Sequence, residues 1–200
     1  LVERGLDDGE QRVRLVRLGE VVARAGFEPF AHLVRCGGSR LHDDRHAAQA
    51  RLLVDEIVRR TGESVTIDGV ELVFQMAQET EAPAEFNLWI PQAKAILNSE
   101  TATGTLHNLQ TLRGAKVRDG KAWSESLTEL LHLWGGEAEV LLASHHWPRF
   151  GNGVIREHLG RQRDAYKFIH DQSVRRMNLG QTPDEIAEGL TLPPALQADW

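Results

Sequence analysis

Two short apolar runs separated by Asp68-Gly69 constrain the fold of this 200-residue chain more than any other feature. Residues 64–67 (SVTI) and 70–76 (VELVFQM) alternate and are rich in β-branched side chains. An Asp-Gly pair between two such runs favours a tight hairpin, because both central residues of that turn take positive φ. A sheet is therefore the anchor of the fold. Residues 86–90 and 93–97 predict two further strands, with Pro91-Gln92 as the turn between them. Residues 105–113 have helical spacing at Leu106, Leu109 and Leu112, with Gly114 at the C-terminal cap. Residues 122–134 predict a second helix, with Trp123, Leu127, Leu130, Leu131 and Trp134 along one side and Gly135-Gly136 ending it.

Residues 138–143 (AEVLLA) have the length of a buried strand. Ser144-His145-His146-Trp147-Pro148 and Gly151-Asn152-Gly153 follow as a loop crest. Layered α/β folds gather ligands at such strand ends. Residues 154–177 predict one long helix or two, and Thr182-Pro183-Asp184-Glu185 opens another through a capping box. The fold class is α/β.

Residues 1–53 differ from the rest, holding 9 of the 19 arginines and none of the 4 lysines. Helices at 13–25 and 47–58 around a loop at 36–46 are the expectation there. Charge narrows the function classes: Lys+Arg 23 against Asp+Glu 29 gives −6, which disfavours a general nucleic-acid or anionic-membrane binder. Residues 182–190 have the form of the first helix of a helix-turn-helix, but Pro193-Pro194 falls where a recognition helix would begin. No apolar run reaches the roughly 18 residues of a membrane span. Cys36 is alone, so no internal disulfide or cysteine-cluster zinc site forms. The chain starts at Leu1 without a signal-like segment and stops after a helix-like stretch, which leads us to expect an internal piece of a longer protein.

Chemistry concentrates at the strand ends. Glu79, Glu81 and Glu85 precede one strand, Glu100 follows another and His145 follows the last. Carboxylates and imidazoles are oxygen and nitrogen ligands of the kind zinc accepts, although an acidic loop alone is as readily a solvated one. The words around these residues are more specific. Residues 80–85 (TEAPAE), 98–108 (NSETATGTLHN), 111–115 (TLRGA), 117–119 (VRD), Trp123 and 144–148 (SHHWP) occur in one order. With residues 162–172 (QRDAYKFIHDQ) and 178–183 (NLGQTP), this set resembles the alkyl sulfatases of the metallo-β-lactamase superfamily. The resemblance covers roughly residues 56–200.

That resemblance implies an αββα sandwich holding two zinc ions, followed by a helical dimerisation region, and it implies cleavage of alkyl sulfate esters such as dodecyl sulfate. Residues 54–153 would be the C-terminal part of the sandwich and 154–200 the start of the dimerisation region, with residues 1–53 atypical. Glu81, Glu100 and His145 match the family's later metal ligands; Arg113 matches its sulfate-gripping arginine, with Asn108 as polar partner. A planar guanidinium suits a sulfate's oxygens. The family's His-x-His-x-Asp-His motif does not occur in these 200 residues, and His42-Asp43-Asp44-Arg45-His46 lacks its spacing. Gly104 stands where relatives commonly carry histidine. A homodimer is the implied assembly; family members differ in compartment. The competing expectation is a non-catalytic scaffold or dimerisation remnant of such an enzyme. His107 reads as a helix histidine satisfied locally rather than a catalyst, and Tyr166 and Phe168 as packing or dimer-interface residues.

Overall fold

A computed structural model describes residues 58–197. The helices expected at 13–25 and 47–58, the loop between them and Cys36 lie outside the described residues, apart from Val58. The hairpin forms as its turn dictates. Strands β1 (Ser64–Ile67) and β2 (Val70–Met76) pair antiparallel with Ile67 opposite Val70, and Asp68 (φ 50°) and Gly69 (φ 82°) both take the positive φ of the tight turn.

Strand β3 (Phe86–Ile90) pairs antiparallel with β2, and β4 (Ala95–Leu97) with β3. Between β3 and β4, Pro91–Ala93 forms a 3₁₀ turn closed by Lys94 at φ 46°, so β4 starts two residues later than its sequence pattern predicts. The long amphipathic helix α1 (Gly120–Leu133) then returns the chain to β5 (Val140–Leu142), which lies parallel to β4. A two-residue strand β6 (Arg149–Phe150) completes a sheet of order β1-β2-β3-β4-β5-β6. Helix α2 (Asn152–Asn178) is continuous, and α3 (Pro183–Gly189) and α4 (Pro194–Gln197) follow. The capping box of α3 forms as expected: the Thr182 side chain accepts from the Glu185 N–H, and the Glu185 carboxylate accepts from the Thr182 N–H.

Period-two alternation sorts the sheet into two cores. Leu72, Phe74, Leu88, Ile90, Ala95, Leu97 and Leu142 share one buried face. Trp89, Ile96 and Leu141 face the helices, meeting Trp123, Leu127 and Leu130 of α1 and Ile155, Leu159 and Tyr166 of α2. Trp123 stacks on Tyr166 with ring centroids 4.4 Å apart, so α2 is fastened to the same core as the sheet well beyond residue 153. Mixed α/β architecture is as the sequence led us to expect, and the described residues contain one sheet with helices on one face.

One expected helix does not form. Residues 105–113 are irregular, and Leu112 is fully exposed while Leu106 and Leu109 pack against the core. The backbone here is satisfied from outside instead: the His107 N–H donates to Tyr166 Oη at 3.0 Å, and the Leu109 carbonyl accepts from the Arg118 N–H at 2.9 Å. Gly114 (φ 80°) closes a turn rather than a helix.

A ladder of buried amides links the sheet to the loop beyond β4. Gln75 donates to the Ser126 carbonyl and to Glu129 at 2.8 Å each, Asn87 donates to Gln75 Oε1 at 2.9 Å, and Thr101 donates to Asn87 Oδ1 at 2.9 Å. Trp123 Nε1 donates to the Thr101 carbonyl at 2.7 Å. Buried polar groups are costly unless paired, so this ladder fixes the loop that carries Glu100.

Candidate metal centre

Three connections converge at one end of the sheet. The loop 77–85 is closed by the Ala77 N–H donating to the Glu85 carbonyl at 2.8 Å, with Glu79 at φ 65° turning the chain. The turn after β4 is closed by the Thr101 N–H on the Asn98 carbonyl at 3.0 Å, and Asn98 Nδ2 donates to the Ala102 carbonyl at 2.9 Å. The crest after β5 is tied to that turn by the Ser144 N–H donating to the Ser99 carbonyl at 2.8 Å. The first loop carries Glu81, the second Glu100, and the third His145.

Glu81, Glu100 and His107 each offer one ligand atom, and those atoms lie within 4.8 Å of one another. Glu100 bridges two imidazoles: its Oε2 is 3.1 Å from His107 Nε2 and its Oε1 is 3.3 Å from His145 Nε2. His107 is four-fifths buried, whereas the His145 side chain is 59% exposed. Asn108 sits beside His107 with its Oδ1 accepting from Arg118 at 2.5 Å. Arg113 lies in the exposed 112–114 turn. The sequence pattern thus points to Glu81, Glu100 and His145 at this end of the sheet but sets His107 aside, because its leucine-flanked position reads as a helix face.

Two further groups shape the field. Arg118, its side chain only 5% exposed, forms an ion pair with Glu81. Glu85 is pushed up to about 7, first by burial and then by the neighbouring Glu81 charge. The Glu81 and Glu100 carboxylates against the one Arg118 guanidinium leave the site net acidic, which attracts a cation. Two carboxylates and an imidazole are donors that zinc takes at tetrahedral or open sites, so the residues present fit such a metal. Behind the site, Tyr166 Oη donates to the His107 carbonyl at 3.2 Å, and burial raises the Tyr166 phenol above its usual range. His146, at φ 71°, accepts from the Gly104 N–H on its Nδ1 at 3.1 Å and holds the His145 crest against the 103–105 segment.

No family profile matches the chain. A linear primary-alkylsulfatase of a Pseudomonas species is 48% identical over 138 residues, which is 69% of this chain and 20% of that protein. An alkyl/aryl-sulfatase of Saccharomyces cerevisiae is 44% identical over 144 residues, 72% of this chain and 22% of that protein. The solved stereoselective inverting sec-alkylsulfatase of a Pseudomonas species superposes with a TM-score of 0.70 at 39% identity, covering 72% of this chain and 23% of that one. The sequence and fold thus fall in a class whose named members are hydrolases of sulfate esters. Within it, the chain is a homologue of the alkyl sulfatases over about 70% of its length. It spans about a fifth of the length of the curated relatives it matches.

Proposed function

We propose that this chain supplies part of the centre of a zinc-dependent alkyl sulfatase, which cleaves an alkyl sulfate ester to an alcohol and inorganic sulfate. The observation that carries the reading is the meeting of Glu81, Glu100 and His107, with His145 on the second oxygen of Glu100. A carboxylate that reaches two imidazoles suits a pair of zinc ions, with Glu81, Glu100 and His145 as ligands and His107 as an added imidazole. Zinc bound there would supply Lewis acidity to the sulfate oxygens. Arg113 meets the sulfate with its planar fork. Asn108, whose Oδ1 is taken by Arg118, keeps its Nδ2 donors for a sulfate oxygen.

The finer assignments belong to the same reading. Residues 54–153 are the C-terminal part of a metallo-β-lactamase-like domain, and 154–200 begin a helical region through which two copies associate. Val174, Met177 and Leu179, apolar and exposed at the far end of α2, favour that association.

The test is sulfate release from dodecyl sulfate, with zinc supplied, by the full-length protein that carries this sequence. Release that is lost in Glu100→Gln supports the reading, and no release from the unsubstituted protein overturns it. A second reading, a scaffold without catalysis, is favoured by the Arg118 guanidinium that already balances the Glu81 charge. Zinc stoichiometry near zero in a dimeric protein would select it.

A further inference from the structure

We propose that Arg118 is the positioning residue of this centre, a buried guanidinium that sets Glu81 and the His107-Asn108 segment at fixed separation; the proposal rests on the metal-centre reading of Glu81, Glu100 and His107. Arg118 belongs to neither loop it holds. Its Nε donates to the Glu81 carbonyl at 2.7 Å and its Nη2 to Glu81 Oε1. Its Nη1 donates to the Asn108 carbonyl at 2.9 Å and to Asn108 Oδ1 at 2.5 Å, and lies 3.4 Å from His107 Nδ1.

Only a rigid fork can serve both loops at once. A lysine ammonium is a point charge on a flexible stem and would choose one partner. The fork takes one oxygen of Glu81 and leaves Oε2 for a cation. The Asn108 carbonyl that it holds lies 3.1 Å from His107 Nδ1 and can take the Nδ1 proton, which leaves Nε2 toward Glu100. Partners that orient ligands in this way are commonly worth 10–100-fold in metal affinity.

The backbone of Arg118 is itself held. Its N–H donates to the Leu109 carbonyl at 2.9 Å, and the next residue, Asp119, donates its N–H to the Glu79 carbonyl at 3.1 Å. Asp119 is also the N-cap of α1, its side chain accepting from the N–H groups of Lys121 and Ala122. The guanidinium is thus presented from the residue just before the N-cap of a helix packed on the core.

A different role makes the opposite prediction. Were Arg118 only a competitor for the Glu81 charge, removing it would tighten cation binding. The experiment is a zinc titration against a chromophoric chelator, on the protein and on Arg118→Lys, Arg118→Met and Glu100→Gln, well below the melting temperature of each. Positioning predicts that Arg118→Lys loses about 10–100-fold in affinity although it keeps the charge, and that Arg118→Met loses at least as much. Unchanged affinity in Arg118→Lys, or tighter binding in Arg118→Met, overturns the proposal. If Arg118→Met does not fold, the affinity of Arg118→Lys decides between the two roles. A Glu100→Gln protein that binds zinc normally, or an unsubstituted protein that binds none, overturns the centre itself and this role with it. Loss in Glu100→Gln with none in Arg118→Lys overturns only the role of Arg118.

Discussion

Glu100 Oε2 lies 3.1 Å from His107 Nε2, across an irregular segment that brings the two side chains face to face. In a regular helix, residues seven apart lie two turns, about 10 Å, along the axis. The irregular path from Thr101 to Leu109 is what brings the pair together. Replacing His107 with alanine is expected to weaken zinc binding about 10–100-fold, and replacing His145 to weaken it at least as much. Chelator competition measures both, and a His107→Ala protein with unchanged affinity would restrict the ligands to Glu81, Glu100 and His145.

Gly104 and His146 occupy adjoining space. A Cβ at position 104 would stand 2.6 Å from His146 Cγ, so Gly104→Ala must push the imidazole aside and break its bond from the residue 104 N–H. The expected cost is about 1–2 kcal/mol in unfolding free energy, together with weaker zinc binding as the His145 crest shifts. Denaturant titration and the same chelator assay check the two effects separately.

Burial and the Glu81 charge hold the Glu85 carboxyl near 7 in the folded chain, well above its usual 4.5. Between those values the folded state binds the proton that the unfolded state has released. Stability of the metal-free protein should therefore be full below pH 4.5 in this contribution and decline as pH rises through 7. Melting temperature measured from about pH 5 to 8 in the presence of a chelator should fall, and Glu85→Gln should flatten that slope.

Tyr166 holds His107 at both its N–H and its carbonyl. Tyr166→Phe keeps the stack on Trp123 and removes both bonds. A loss of about 1–2 kcal/mol in stability is expected, with faster amide exchange confined to residues 105–109. Global acceleration of exchange would contradict that local role.

Much of this fold could be read from neighbours in sequence. Asp68-Gly69 states its turn locally, and Thr182 and Glu185 state their capping box within four residues, so each forms where the pattern puts it. The carboxylates of Glu81 and Glu100 were legible through the words around them, which resemble those of the alkyl sulfatases, since an acidic loop alone is as readily a solvated one. Residues 105–113 misled because leucine spacing cannot reveal that Tyr166 and Arg118, distant in sequence, would satisfy the backbone in place of a helix. His107 was hidden with that segment. Arg118 was hidden for another reason: a charged residue between Val117 and Asp119 looks solvated until the two loops that bury it are in place.

Because β5 lies parallel to β4, everything from Asn98 to Glu139 forms one crossover between neighbouring strands. Glu100, His107 and Arg118 ride on that crossover, and His145 comes just after it closes. The side chains of the proposed centre are thus brought together by a long-range strand pairing, a kind of contact that is slow to form. A metal held by Glu100 and His145 would therefore clamp the two ends of that crossover together.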